Sequence, residues 1–251
     1  QTPNPKPQTP NPKPQTPKLR EDSVNLKQEY SQKNYLNGMA DRQQKLPGLV
    51  EDLKKKNASS ISEFRNKELL DSEGKPQKGV VVKDYPNGSK FEGRIEGDKR
   101  SGKGYYKYAN GDVYCGEWRD DMFNGHGVYV FASGERYEGE FANGKKEGQG
   151  TYHYLNGNVY SGGWKANKRN GRGTYNYYLA GEKYDGEWQM GDKTGHGTYE
   201  YSGGQKYTGD WKANEKSGHG KMIFSNGGEY EGNWSGVSCM LLRTEQMEKE
   251  R

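Results

Sequence analysis

The sequence has few of the residues that build an ordinary hydrophobic core. Only 29% of its 251 residues are hydrophobic, and the mean hydropathy is -1.31. Such a composition is typical of disordered chains, and it excludes a thick aliphatic core. The two cysteines, Cys115 and Cys239, match neither a disulfide framework nor a CxxC metal motif.

Membrane and export signals are also missing from the sequence. No stretch approaches the ~18 consecutive apolar residues of a membrane span, and residues 1–30 contain no hydrophobic signal region. These absences predict a reducing, cytoplasmic or cytoskeletal location. The chain begins at Gln1 instead of Met, which indicates that the true N-terminus is missing or processed.

What the sequence does have is glycine and aromatic residues. It contains 37 Gly, 20 Tyr and 5 Trp, a combination that disordered tails rarely carry. Aromatic rings bury much area per residue, and glycine lets backbones and rings approach closely. Burial is therefore expected to be concentrated in a few residue types.

These residues recur every 23 residues, and an internal period is the signature of a repeat architecture. Six full units follow one another, and the fourth is one residue longer, around Tyr178–Leu179. Residues 78–90 fit the second half of a unit, and a seventh unit begins at residues 230–234. The full units are FEGRIEGDKRSGKGYYKYANGDV (91–113), YCGEWRDDMFNGHGVYVFASGER (114–136), YEGEFANGKKEGQGTYHYLNGNV (137–159), YSGGWKANKRNGRGTYNYYLAGEK (160–183), YDGEWQMGDKTGHGTYEYSGGQK (184–206) and YTGDWKANEKSGHGKMIFSNGGE (207–229).

Each unit predicts one β-hairpin. YxGxW alternates, with its aromatic positions on one face and charged residues on the other, and GxGxYxY alternates likewise after a loop of about six residues. Asn-Gly, Ser-Gly, Ala-Gly or Gly-Gly then favours a two-residue primed turn before the next unit. The predicted fold is all-β: a single-layer antiparallel meander of tandem 23-residue hairpins over residues 79–234, shaped as a rod or trough. About 13 strands at ~4.8 Å would make it roughly 60 Å long.

The aromatic positions have two expected roles. Glycines such as Gly116 and Gly127 leave bare backbone on which rings from neighbouring strands can stack, so most rings should form the core. A single sheet has nothing covering that face, however, and rings left open would form an apolar groove of the kind that marks binding sites. The candidate protein-binding aromatic face consists of Trp118, Phe141, Trp164, Trp188, Trp211, Trp234, Tyr129, Tyr152, Tyr175 and Tyr199.

An N-terminal arm, irregular or with short helices, precedes the repeats. Residues 1–18, QTPNPKPQTPNPKPQTPK, predict an extended, partly polyproline-II, disordered tail. Residues 19–78 are a charged linker in which Leu49 to Lys56 and Ser60 to Leu70 favour short helices. The second of these begins with a capping box, Ser60 with Glu63.

The linker is either a disordered tail or a segment that orders along a partner or partly over the protein's own sheet. Its candidate docking anchors are Ile61, Phe64, Leu69 and Leu70. At the other end, residues 235–251 predict a C-terminal cap, with Cys239 to Arg251 as a short helix over the open strand edge, or else a free tail.

Charge divides the chain into two parts. Residues 1–78 hold 15 Lys/Arg and 10 Asp/Glu, whereas residues 79–251 hold 24 of each. The net charge of +5 therefore lies in the arm, which suits an acidic protein surface. A neutral array does not favour anionic head groups.

The sequence predicts no catalytic residue, no cofactor and no metal site. His126, His196 and His219 share one repeat position, so they should lie about 10 Å apart, too far to share a metal at ~2 Å per bond. The GKG and GRG triplets lack the spacing of a phosphate loop, and no nucleophile is paired with a base. Nucleic acid is not an expected partner, because the rings face inward and the basic tail lacks interleaved aromatics.

YxGxW followed by GxGxYxYxNG, in six full copies over residues 79–234, closely resembles the MORN repeat (membrane occupation and recognition nexus). The resemblance implies a non-enzymatic scaffold, since such proteins occur in radial-spoke heads and other ciliary structures, at membrane junctions and at cytoskeletal rims. It implies protein partners in a large cytoskeletal assembly, above all the ciliary or flagellar axoneme. The alternative that it implies is a membrane–cytoskeleton linker that binds anionic phospholipids through the repeats, and self-association through the array stays open.

Overall fold

The computed structural model describes the backbone of residues 19–236 and the side chains of residues 32–236. A helix, α1 (Leu19–Glu68), precedes fourteen strands, which form one antiparallel sheet in sequence order. The predicted single-sheet meander of hairpins is confirmed, with one strand more than expected. The strands are β1 Val81–Asp84, β2 Lys90–Glu96, β3 Lys99–Lys107, β4 Val113–Arg119, β5 Met122–Val130, β6 Arg136–Ala142, β7 Lys145–His153, β8 Val159–Lys165, β9 Lys168–Tyr177, β10 Glu182–Gln189, β11 Asp192–Glu200, β12 Lys206–Lys212, β13 Glu215–Ile223 and β14 Glu229–Ser235. The predicted proline-rich tail and the helix from Cys239 to Arg251 lie outside the described residues.

Two kinds of turn alternate along the sheet, and neither has the length that the sequence predicted. Inside the second unit, Arg119 pairs with Met122, and φ is 51° at Asp120 and 65° at Asp121. This is a two-residue primed turn, so the predicted six-residue loop is wrong. A register shift at Gly116/Glu117 lets both strands continue as far as this turn.

The connection between units is longer than predicted. The amide of Tyr108 donates to the carbonyl of Asp112 (2.8 Å), and the amide of Gly111 donates to that of Tyr108 (3.0 Å). Gly111 has φ 94°, whereas Asn110 has no positive φ. The result is a three-residue loop with glycine in the left-handed region, and the two-residue primed turn predicted at Asn-Gly is wrong.

Paired glycines inside the strands make room for a tyrosine ring. Gly116 pairs with Gly127 across the hairpin, and a Cβ added to Gly127 would lie 2.6–2.8 Å from atoms of Tyr114. The Tyr114 hydroxyl reaches past this glycine pair and donates to the carbonyl of Glu117 at 2.8 Å. Rings do stack on bare backbone, as the spacing predicted.

The helix α1 corrects the prediction of two short helices. It runs through 50 residues, with Pro47 inside it, so Ser60 lies in the helix interior and caps nothing. A proline inside a helix removes one helical hydrogen bond, and it can kink the helix without ending it. Contact with the sheet supplies support that local sequence does not reveal.

The C-terminal part of α1 packs on the face of the sheet opposite the aromatic rings, which we call the outer face. Three of the four predicted anchors join a buried cluster there, whereas Leu70 only pairs through its backbone with Pro76. These three anchors therefore lie over the chain's own sheet, one of the two locations expected. The cluster consists of Ile61, Phe64, Leu69, Val80, Tyr105, Val113, Cys115, Val128 and Val130.

Polar contacts fix α1 at both ends of its path across the sheet. Arg65 donates to both carboxylate oxygens of Glu92 on β2 (2.8 and 2.9 Å). Farther up the helix, Arg42 donates to the carbonyls of Leu179 (2.9 Å) and Ala180 (3.1 Å). These carbonyls belong to the connection that the additional residue of the fourth unit widens, so this irregularity of the repeat is a docking point for the helix.

Cys115 can report whether α1 is docked, because it lies under the helix with 2% exposure. We expect Phe64→Ala with Leu69→Ala to accelerate labelling of Cys115 by a thiol reagent roughly tenfold or more, since tenfold needs only about 1.4 kcal/mol. The measurement uses the full chain with Cys239→Ser, so that one thiol remains. Leu36→Ala is the control, because Leu36 lies on the same helix and is 56% exposed. Equal labelling rates in all variants would contradict this docking.

The cation-lined aromatic face as a candidate functional site

The ten predicted ring positions lie on one face of the sheet, and neighbouring side chains bury nine of them. Exposure ranges from 3% at Trp118 and Trp188 to 9% at Tyr199, and only Tyr129 is half-buried. Each tryptophan is tied to the preceding unit: Trp188 Nε1 donates to the carbonyl of Gly173 at 2.9 Å. These rings therefore form the core, and they do not line an open groove.

Basic side chains cover the tryptophans. Five of the six units have Lys or Arg at the second position after the two-residue turn, and the second unit has Phe there. Each basic side chain lies over the tryptophan of the following unit. Distances from the cationic centre to the tryptophan ring centroid range from 4.3 to 4.8 Å, within the range of cation–π attraction. The cation row consists of Arg100, Lys146, Arg169, Lys193 and Lys216.

Lys193 shows how closely the rings enclose a cation. Its Nζ lies 4.7 Å from the ring centroid of Trp211 and 4.9 Å from that of Tyr199. Burial among the rings is the main cause that lowers the pKa of Lys193 to about 8; the neighbouring Arg169 and Lys216 charges act in the same direction, and the Glu182 carboxylate opposes them. Burial likewise lowers the pKa of Lys146 to about 8. These ammonium groups are held in place before any ligand arrives.

Carboxylates at another repeat position lie on the outer face, where they bond to the strand backbone. Glu140 accepts from the amide of Gln149 at 2.8 Å, and Asp210 accepts from the amide of His219 at 3.1 Å. The array is neutral by residue count, yet its cation row and these carboxylates face opposite ways. The charge balance of the sequence did not reveal this separation, although a basic residue after the turn in five of six units was a visible signal.

A row of half-buried rings runs beside the cation row. These rings close the GxGxYxY segment of each unit and pack on the edge of the buried cluster. Lys193 Nζ is 5.9 Å from the Tyr177 ring centroid, and Lys216 Nζ is 5.2 Å from that of Tyr201. The ring row consists of Tyr108, Phe131, Tyr154, Tyr177, Tyr201 and Phe224.

Tyrosine hydroxyls engage the carboxylates that border this face. Tyr129 donates to Asp112 (2.7 Å) and Tyr199 donates to Glu182 (2.5 Å). Tyr152 makes the corresponding bond to Glu135 at 3.1 Å. These acids are therefore spread along the connections between units.

The described residues offer little for catalysis. Residues 32–236 contain no group of three His, Cys, Asp or Glu side chains placed to hold a metal ion. His196 lies beside Asp210 (3.4 Å) and His219 beside Glu231 (3.3 Å), each in an exposed position. Burial raises the pKa of the Cys115 thiol to about 12, so its thiolate is scarce at neutral pH. In the described part of the chain, no helix has the length and apolar character to cross a bilayer.

The tandem hairpins, each with a tyrosine over a glycine pair and a tryptophan bonded to the previous unit, can be compared with known repeats. The model of the MORN repeat matches residues 91–113, 114–136, 137–159, 160–178, 184–206 and 207–229. The chain belongs to the MORN-repeat family. The fourth match ends at Tyr178, just before the residue inserted in that unit.

Other comparisons add less. No curated protein matches this MORN-repeat chain. Among solved structures, it is similar to the SAS-4 (dCPAP) TCP domain in complex with a proline-rich motif of Ana2 (dSTIL) of Drosophila melanogaster, at 11% identity and a TM-score of 0.24, over 62% of this chain and 90% of that one. It also matches a virginiamycin B lyase from Staphylococcus aureus at 8% identity and a TM-score of 0.16, over 67% of this chain and 77% of that one. The MORN repeat itself is a structural repeat that mediates protein or lipid binding.

The enclosed lysines of the MORN array should give its stability a pH dependence. Because burial lowers the folded-state pKa of Lys193 to about 8, its charged form opposes folding below pH 8, and this opposition fades as pH rises towards the unfolded-state value of about 10.4. We expect the free energy of unfolding of the wild type, relative to Lys193→Met, to rise between pH 8 and about 10. Urea denaturation at several pH values measures this difference. Lys212→Met, on the exposed outer face, controls for the loss of one charge, and parallel pH profiles for wild type and Lys193→Met would contradict the expectation.

Proposed function

We propose that this protein is a non-enzymatic scaffold that holds protein partners in a large cytoskeletal assembly, namely the ciliary or flagellar axoneme. The observation that carries the scaffold role is the cation-over-tryptophan arrangement, which one continuous sheet repeats in five positions. A rigid surface with regularly placed charges suits binding of an elongated partner, because little ordering is required of the scaffold. The axoneme, and radial-spoke heads within it, rest on the resemblance to MORN proteins of ciliary structures.

Affinity purification of the full chain from ciliated cells, followed by crosslinking mass spectrometry, tests this proposal. We expect axonemal proteins to be recovered, with crosslinks to lysines of the cation row, such as Lys146 and Lys193. Recovery should fall for Lys146→Met with Lys193→Met. The matched control is Lys165→Met with Lys212→Met, which removes two exposed lysines that directly follow tryptophans and so point to the outer face. Recovery of no protein partner would overturn the scaffold role, and recovery of only non-axonemal partners would overturn the location.

A second candidate is binding to anionic phospholipids, which the cation row favours in spite of the neutral count. Basic residues near a membrane surface contribute about 1 kcal/mol each, and five of them share one face of this sheet. Sedimentation with phosphatidylcholine vesicles, with and without phosphatidylinositol bisphosphate, separates the two candidates. Salt-sensitive binding that needs the anionic lipid and is lost in Lys146→Met with Lys193→Met would favour the membrane role.

A further inference from the structure

The aromatic face offers the same pair of contacts in successive units. One contact is a cation held over a tryptophan, and the other is a half-buried ring of the ring row. The two lie 5.9 Å apart at Lys193 and Tyr177, and 5.2 Å apart at Lys216 and Tyr201. Each unit contributes two strands, so the pair recurs about every 9.6 Å at the usual strand spacing of ~4.8 Å. A partner must therefore supply one anionic and one apolar side chain on one face at about this interval.

We propose that the partner segment is an acidic amphipathic α-helix that lies along the cation row, with a carboxylate at every seventh residue and an apolar side chain between successive carboxylates. This proposal rests on the proposed protein-binding function. Residues seven apart in a helix are about 10.5 Å apart, about 1 Å more than the interval of one unit. For a helix centred on four cations the displacement at each carboxylate stays below about 1.5 Å, which the flexible glutamate side chains of the partner can take up. A heptad also places two positions, a and d, on one face, which matches one cation and one ring in each unit.

Other backbone conformations do not provide this combination. An extended strand spans the interval in about three residues, but its side chains alternate between faces, so every second carboxylate would point away. A polyproline-II segment repeats every three residues over ~9.3 Å, but it presents only one side chain per turn towards the cation row. The helix alone supplies both side chains in register.

The interruption of the cation row sets where this helix should lie. Phe123 occupies the cation position in the second unit and stacks on Tyr114, with ring centroids 3.9 Å apart. Before this interruption the cation row has one member, Arg100. Four consecutive cations follow it: Lys146, Arg169, Lys193 and Lys216. The carboxylates should therefore face this stretch, and an apolar residue of the helix should face Phe123.

A synthetic peptide of four heptads, about 28 residues, tests the proposal with the full chain. It carries Glu at the first and Leu at the fourth position of each heptad, with Ala and Gln elsewhere, and its helicity is checked by circular dichroism. We expect it to bind at least about tenfold more tightly than a helix of the same composition whose glutamates are spread around the circumference. An equally acidic proline-rich peptide should also bind weakly. Equal binding by either control peptide would overturn the proposal.

Variants of the protein locate the site. We expect Lys146→Met with Lys193→Met to weaken peptide binding about tenfold or more, and Lys146→Arg with Lys193→Arg to retain it, because the charge is kept. The outer-face pair Lys165→Met with Lys212→Met should leave affinity unchanged, and thermal unfolding verifies that each variant is folded. Unchanged binding by the Lys146→Met/Lys193→Met variant would overturn the proposal.

Failure of this proposal can be told from failure of the scaffold role. If native partners are recovered but crosslink to the outer face, or bind the Lys146→Met/Lys193→Met variant as well as the wild type, the helix proposal is wrong and the scaffold role stands. If no native partner is recovered, the scaffold role itself is wrong, whatever the peptide does.

Discussion

Trp188→Ala is expected to lower the free energy of unfolding by about 3–5 kcal/mol, the usual cost of replacing a buried tryptophan by alanine. Trp188 is 3% exposed and packs edge-on against Tyr160 and Tyr184, at 5.4 and 5.2 Å between ring centroids. Its ring also lies under the Arg169 guanidinium, at 4.3 Å. The substitution therefore removes contacts with the preceding unit as well as with its own, and chemical denaturation monitored by tyrosine fluorescence or circular dichroism measures the cost.

Amide hydrogen exchange shows which strands the Trp188→Ala substitution destabilises. In an array stabilised by nearest neighbours, amide exchange should accelerate mainly in β8 to β11, while β2 to β4 keep their protection. Trp234→Ala is the matched control, because Trp234 is similarly buried, at 5%, but lies in β14, the last described strand. Its effect should be confined to β12, β13 and β14, because its ring packs against Tyr207 of β12 and Tyr230 of β14. A uniform rise in exchange across the sheet after Trp188→Ala would contradict a modular array.

Gly197→Ala is expected to cost about 2–3 kcal/mol, at the upper end of the usual range for overpacking. A Cβ at this position would lie 2.5–2.7 Å from Tyr184 ring and hydroxyl atoms. Tyr184 is fully buried, and its hydroxyl donates to the carbonyl of Glu187 at 3.0 Å. The ring cannot move without losing this bond and its contacts with two tryptophans. Urea denaturation of the variant measures the cost.

A double-mutant cycle separates the clash from other effects of the added methyl group. In a Tyr184→Ala background, Gly197→Ala should cost at least about 1 kcal/mol less than in the wild type, because the conflicting ring is gone. Gly48→Ala is the control substitution, since a Cβ at Gly48 meets no atom within 4 Å. Because Gly48 lies inside α1, the control should instead stabilise by about 0.5–1 kcal/mol. Additive costs of Gly197→Ala and Tyr184→Ala would contradict the proposed clash.

Local regularity explains why so much of the sheet could be predicted. A 23-residue period with alternating aromatic positions assigns every strand of the six units, its neighbours and the face of each ring, because side chains in a strand alternate strictly. The same regularity predicted that Gly116 and Gly127 lie under a ring. The turn lengths were predicted wrongly because composition alone does not locate the bulge at Gly116/Glu117, and the bulge decides how far each pair of strands continues.

The candidate site could be predicted only in part. Its ring positions were recognised, but their burial depends on how Trp188 and its equivalents lie between rings of two units, which the period does not specify. The basic residues that cover them were counted in the charge balance, but a residue count does not show on which face of the sheet a side chain lies. Only the register, which pairs Trp164 with Arg169 and Trp188 with Lys193, shows that the cations share the face of the tryptophans.

The sequence by itself determined the strands, their order and the ring-bearing face, because these follow from interactions between residues less than one unit apart. The tertiary structure alone decided the course of α1, which joins Arg42 to the fourth unit and Arg65 to Glu92 in the first. It also decided that cations cover the tryptophans. Both outcomes depend on contacts between different units or across the sheet. The energies of such contacts depend on the distance between side chains and on their burial, and the repeat pattern specifies neither.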